Sequence, residues 1–130
     1  MVIDDETGIL DLLKRIFTLA GYDKVDTFSN PVEAIEVFKE KKYHIVLTDI
    51  VMPEMDGIDV LKKVREYDPL TQVIIMTGYS TIEKTLACLE CGANDYILKP
   101  FKSNDYIVEM IDDSIKKLER WREAIKGIIK

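Results

Sequence analysis

Cysteine, histidine and surplus positive charge are all scarce in this chain. Two cysteines among 130 residues exclude the disulfide frameworks of small secreted domains, and both thiols are expected to stay reduced. A chain of this length buries a proper core without such staples. The one histidine, His44, leaves Cys88-Leu89-Glu90-Cys91 short of the four ligands that a structural zinc site needs. Lys and Arg number 18 against 24 Asp and Glu, a net charge of −6. The basic face demanded by a nucleic-acid backbone is therefore missing, and no direct nucleic-acid partner is expected. No apolar run approaches the ~20 residues of a membrane helix, so no membrane partner is expected. The start, Met1-Val2-Ile3-Asp4-Asp5-Glu6, turns acidic at once, unlike a signal peptide, and points to the cytoplasm. Repeats and low-complexity tracts are absent, as are both glycine-rich phosphate-binding signatures, which removes P-loop and dinucleotide functions. What remains is 47% apolar and 32% charged, the composition of one ordinary globular domain.

Along the chain, apolar runs alternate with helical periodicity. Met1–Ile3 is a short apolar run stopped by two aspartates. Apolar residues at 9, 10, 12, 13, 16, 17 and 20 predict a helix over Ile9–Ala20, ended by Gly21. Val25–Phe28 reads as a second strand. Asn30, Pro31 and Glu33 then form a helix start, as N-cap, first position and third position. A third strand spans Ile45–Thr48, and Ile58, Leu61 and Val64 mark a helix closing before Asp68-Pro69. Val73–Met76 is a strand ending at Thr77-Gly78. Ser80 with Glu83 reads as a capping box for a helix to Cys91, with Gly92 beyond it. Tyr96–Leu98 is a fifth strand, halted by Lys99-Pro100, and Ser103 onward is helical to about Lys126. Five strand–helix units imply right-handed crossovers and a parallel sheet covered on both faces. The expected architecture is a flavodoxin-like, doubly wound five-stranded sheet in the order 2-1-3-4-5.

In such a sheet every strand ends at one rim. The residues there are Asp4 and Asp5 after the first strand, Asp49 after the third, Thr77 after the fourth and Lys99 after the fifth. The first and third strands are neighbours in the 2-1-3-4-5 order, so three carboxylates converge. Desolvated, they repel unless a cation joins them or some are protonated. All-oxygen ligation with room for water suits Mg²⁺. Lys99 adds a point charge and Thr77 a hydroxyl donor, which together make a phosphoryl-binding site. Each residue alone has a plainer explanation. Asp4 and Asp5 favour a helix N-terminus, Asp49 suits a loop cap, and a threonine or lysine after a strand is ordinary. Their convergence is what points to chemistry.

Asp4-Asp5-Glu6, Asp49 with Met52-Pro53 and Asp56-Gly57, Thr77-Gly78, Gly92-Ala93, and Tyr96 followed by Lys99-Pro100-Phe101 resemble the receiver domain of two-component response regulators. The resemblance covers about residues 1–118. It implies that Asp49 is the phosphoacceptor, taking a phosphoryl group from a sensor histidine kinase as an acyl phosphate. Mg²⁺ would be held by Asp5 directly, by Asp49 and the backbone carbonyl of Val51, with Asp4 assisting. Lys99 and Thr77 would contact the phosphoryl group, and the Lys99–Pro100 bond would be cis. Thr77 and Tyr96 would form a switch pair that remodels the face of the fourth helix, fifth strand and fifth helix. That face would serve an output domain, an effector or a homodimer. Such a domain catalyses its own phosphorylation and slow dephosphorylation, and is a timer more than an enzyme.

Some features stand apart from that resemblance. The first strand is shorter than the family's usual one. Val51 is apolar where many relatives are polar; Val51 and Tyr79 are expected to shield the acyl phosphate and lengthen its lifetime. Cys88 and Cys91 lie mid-helix, without the strand-to-helix turn of a redox pair, and read as small helix-face residues. His44 reads as a strand-start surface residue. The last helix, about 23 residues or ~34 Å long, exceeds what the sheet needs. Ile111, Leu118, Ile125, Trp121 and Ile128 continue a heptad-like stripe along it. Residues 119–130 are therefore set apart as an extension toward an output domain or partner, frayed at Gly127. Two other functions remain as alternatives. A haloacid-dehalogenase-like phosphohydrolase also uses a strand-end aspartate and Mg²⁺, but wants a second aspartate where Val51 stands. A receiver-like module that is never phosphorylated would not need so complete a site.

Overall fold

Side-chain caps start several of the helices. The Asn30 side chain accepts hydrogen bonds from the N–H groups of Val32 (2.9 Å) and Glu33 (3.3 Å), with Pro31 at the first helical position. Asp56 and Asp59 form a reciprocal capping box, 2.9 Å and 3.3 Å. In the computed structural model, which describes residues 1–78 and 81–129, the elements are β1 (Val2–Ile3), α1 (Thr7–Leu19), β2 (Thr27–Phe28), α2 (Pro31–Glu40), β3 (Ile45–Asp49), α3 (Gly57–Tyr67), β4 (Gln72–Thr77), α4 (Ile82–Glu90), β5 (Asp95–Leu98) and α5 (Asn104–Ile129). The strands form one parallel sheet in the order β2-β1-β3-β4-β5, the expected doubly wound arrangement.

Period-two alternation sends neighbouring strand residues to opposite faces, and here both faces are buried. Val46, Val73 and Ile75 meet Ile35, Phe38, Leu61 and Val64 on the α2–α3 side. Leu47, Ile74 and Met76 meet Leu13, Ile16, Phe17 and Ile107 on the α1–α5 side. Each fully buried aliphatic side chain contributes about 1.5–3 kcal/mol, so the long central strands β3 and β4 anchor the fold. No helix among the described residues is long and apolar enough to cross a membrane.

Several boundaries differ from the sequence expectation. β2 is confined to Thr27–Phe28 because its partner β1 offers two residues for pairing; Val25 and Asp26 lie outside the ladder, apart from the bond that Val2 N–H donates to Asp26 O (2.9 Å). α1 begins at Thr7, ahead of its apolar stripe. α4 is capped by Thr81, whose hydroxyl oxygen accepts from Lys84 N–H at 3.1 Å; Ser80, expected as the cap, lies outside the described residues, as does Tyr79. α5 does not fray at Gly127 but runs for 26 residues to Ile129. An exposed glycine costs a helix about 1 kcal/mol, too little to end one this long.

Candidate functional site

The chain leaves β1 and β3 side by side at the carboxyl rim. One carboxylate oxygen from each of Asp4, Asp5 and Asp49 lies within 4.8 Å of the others. Asp4 is fully buried, Asp49 nearly so, and Asp5 exposed. Lys99, arriving from β5, places its ammonium 2.6 Å from Asp4 Oδ2 and 3.3 Å from Asp49 Oδ2.

Each side chain is held by its own backbone context. Glu6 N–H donates to Asp4 Oδ1 at 2.9 Å, so Asp4 braces the turn ahead of α1 without capping the helix, whose N-cap is Glu6. Ile50 N–H donates to Asp49 Oδ1 at 2.9 Å. Thr77 ends β4, buried, and its carbonyl accepts from Lys99 N–H at 2.9 Å. The Lys99–Pro100 peptide is cis. Val51 lies in the loop after Asp49 with 47% of its surface exposed, and Tyr96 on β5 stands outward, 54% exposed. Asp4, Asp5, Asp49 and Lys99 thus meet in one cluster with Thr77 beside it, while Tyr96 faces solvent.

Burial raises the Asp49 carboxyl above its ordinary range; Lys99 pulls it back and Asp4 pushes it further up. At Lys99, burial opposes the charge, yet the ion pairs with Asp4 and Asp49 outweigh it and the net shift is upward. A half-desolvated anionic cluster with one ammonium accepts a hard divalent cation readily, and these carboxylates fit one.

Two contributors escaped the sequence reading. Gly57 N–H donates to Ile50 O at 2.7 Å, and a Cβ on Gly57 would sit 2.4 Å from Asp49 O. Asp56-Gly57 reads as a turn from sequence; a glycine at the first position of a helix, where none is required, is the only hint of close approach. Arg65, on α3, ties the α4–β5 loop to its own helix through Gly92 O (2.7 Å) and Asn94 Oδ1, a contact with no sequence signature. Cys88 is buried and Cys91 half-buried as free thiols, and His44 is exposed, in keeping with their structural readings.

A five-unit parallel α/β domain with acidic residues and a lysine gathered at the switch point defines a class of signalling domains. The family model for the response regulator receiver domain matches residues 1–112. Regulatory protein AtoC of Escherichia coli is 40% identical over 128 residues, covering 98% of this chain and 27% of that protein. Chemotaxis protein CheY of Thermotoga maritima is 37% identical over 102 residues, 78% of this chain and 85% of that one. A CheY-like receiver domain from Methanospirillum hungatei superposes with a TM-score of 0.87 at 30% identity, covering 92% and 94% of the two chains. The chain belongs to the response regulator receiver family, the phosphorylation-activated switches of two-component signalling. It spans about a quarter of the length of AtoC. Membership separates it from the haloacid-dehalogenase-like alternative.

Proposed function

We propose that Asp49 accepts a phosphoryl group from a sensor histidine kinase. An Asp49 carboxylate oxygen attacks phosphorus, the phosphorus–nitrogen bond to the kinase histidine breaks, and an acyl phosphate results. The observation that carries this reading is the cluster itself, three carboxylates within 4.8 Å and Lys99 against two of them. Asp5 and Asp49, with the Val51 carbonyl, would hold Mg²⁺ and Asp4 would assist; the ion supplies charge neutralisation for the phosphoryl oxygens. Lys99 and Thr77 bind those oxygens, and Thr77 with Tyr96 passes the change to α4, β5 and α5. That face already exposes Ile82, Leu86, Leu89, Tyr96 and Leu98, which suits an effector or a second copy. Leu118 is the last buried residue of α5, which supports taking residues 1–118 as the receiver unit. Residues 119–130 extend toward an output domain in a cytoplasmic regulator.

Incubation with Mg²⁺ and acetyl phosphate, followed by intact mass measurement, tests the assignment. One phosphoryl adduct, lost in Asp49→Asn, is expected; no adduct, or an adduct that persists in that variant, sinks it. Val51 would shield the acyl phosphate from water, so Val51→Asn is expected to shorten its lifetime several-fold, measured as decay of the adduct.

A further inference from the structure

At the amino end of the sheet, opposite Asp49, α1, α5 and the starts of β1 and β3 do not close on one another. The gap is a cavity of about 830 Å³, within the range of roughly 300–1,000 Å³ typical of small-ligand sites. Its apolar lining includes Phe17, Leu47, Ile111 and Leu118, all buried. Exposed basic residues line it as well: Lys24, Lys42 and Arg122, with His44 among them. Asp23, Asp26 and Glu119 share the lining, but Asp26 is already engaged. It accepts from the Tyr43 hydroxyl at 2.5 Å and pairs with Lys41 at 3.8 Å. Lys42 pairs with Asp68 at 3.7 Å. Lys24 and Arg122 form no ion pair among the described residues. His44 registers the local field. Burial, then the Arg122 charge, hold its imidazole below the ordinary range; Lys42 and Lys24 add to this and Asp68 opposes it. Positive charge thus gathers around one apolar cavity in a chain whose net charge is −6.

We propose that this cavity binds an amphiphilic carboxylate, its apolar chain against Phe17, Leu47, Ile111 and Leu118 and its head group paired with Arg122 and Lys24. Neither half of such a ligand suffices alone. A neutral apolar molecule leaves both cations unpaired, and a small inorganic anion leaves the apolar lining wet. Each methylene buried tightens binding about fourfold, and a carboxylate on a guanidinium fixes the orientation. The apolar lining is buried, so the ligand's chain comes to it from solution. Phe17 lies on α1, Leu47 on β3 and Ile111 on α5. An occupant therefore ties three elements together and stabilises the fold by mass action. The site lies at the other end of β3 from Asp49 and is independent of the phosphoacceptor reading.

Decanoate is the probe, titrated calorimetrically below its micelle concentration, with decanol and decyltrimethylammonium as neutral and cationic counterparts. Decanoate should bind one to one and raise the melting temperature. Decanol should bind about fivefold more weakly, the upper scale of an exposed ion pair, and the cation more weakly still. Hexanoate, four methylenes shorter, should lose at least about tenfold. Arg122→Gln with Lys24→Gln, both exposed positions that leave the core intact, should bring decanoate down to the affinity of decanol and leave decanol unchanged. Amide shifts on binding should gather at Phe17, Leu47, Ile111 and Leu118. No binding, decanoate no tighter than decanol, or a double variant that binds as the parent does overturns the proposal. So do shifts gathered at Leu86 and Leu89, which would place the probe on the exposed face of α4. Sedimentation with anionic phospholipid vesicles, abolished in the double variant, would assign the basic residues to a membrane surface and overturn it too.

Discussion

Gly57 decides how closely α3 approaches Asp49. A Cβ there would meet Asp49 O at 2.4 Å and Ile50 Cα at 2.8 Å, both backbone atoms that cannot rotate aside. Overpacking a tight contact costs about 1–3 kcal/mol, so Gly57→Ala is expected to lose that much in urea denaturation. It should also slow adduct formation, because the displaced atoms carry Asp49. A variant as stable as its parent would mean that α3 shifts freely and that the glycine is not needed for the approach. The same residue marks the limit of sequence reading. Asp4, Asp49, Thr77 and Lys99 were legible because each follows an apolar strand, and strand ends share a rim by topology. Gly57 was not, because its role is the space left by a missing side chain, and Asp-Gly has an adequate local explanation as cap and turn. The Lys99–Asp4 preference was equally invisible, since proximity at a rim does not rank distances.

At the scale of elements, helix starts and the sheet order were legible from caps and periodicity, whereas the tie holding α4 was not. α4 buries Cys88 alone and exposes Ile82, Leu86 and Leu89, so packing holds it weakly. Arg65 compensates at its carboxyl end. The guanidinium donates to Thr71 O, Gly92 O and Asn94 Oδ1, and Asn94 Oδ1 also accepts from Val73 N–H at 2.8 Å. Removing one partner from such a network leaves acceptors unmet at about 1–3 kcal/mol. Arg65→Met should lose that much stability and speed amide exchange in residues 88–94, with little change in α1 or α2. A uniform rise across the chain would contradict a local anchor. α5 makes the opposite case. Beyond Leu118 it exposes Trp121, Ile128 and Ile129, so nothing in the sheet depends on its last turns. Ending the chain after Arg120 should change unfolding free energy by less than about 1 kcal/mol, the usual scale for surface changes. A larger loss would place residues 121–130 within the domain.

Over the whole molecule, burial is concentrated in β3 and β4, and the other end of the sheet is loosely filled. A cavity of about 830 Å³ opens there, lined by Met1, Phe17, Tyr22, Ile45, Ile111 and Leu118 among others. The buried Met1 amine donates to Ile45 O at 3.0 Å. Burial lowers its pKa from 8.0 to about 5, against a small opposing pull from Asp26. The composition predicts neither, because an amine's environment depends on where β1 enters the sheet. The sign follows from which state binds the proton. The unfolded amine is protonated below pH 8 and the folded one only below about pH 5, so between these values unfolding takes up a proton and stability rises with pH. The contribution is fully present above the unfolded pKa and lost as pH falls through the folded one. Three units correspond to at most about 4 kcal/mol. Denaturation of the 130-residue chain across this window should show that rise, superimposed on the carboxylates. Acetylating the amine keeps one N–H for Ile45 O and removes the charge. The acetylated chain should lose the slope between pH 5 and 8, and an unchanged slope would assign the pH dependence to other groups.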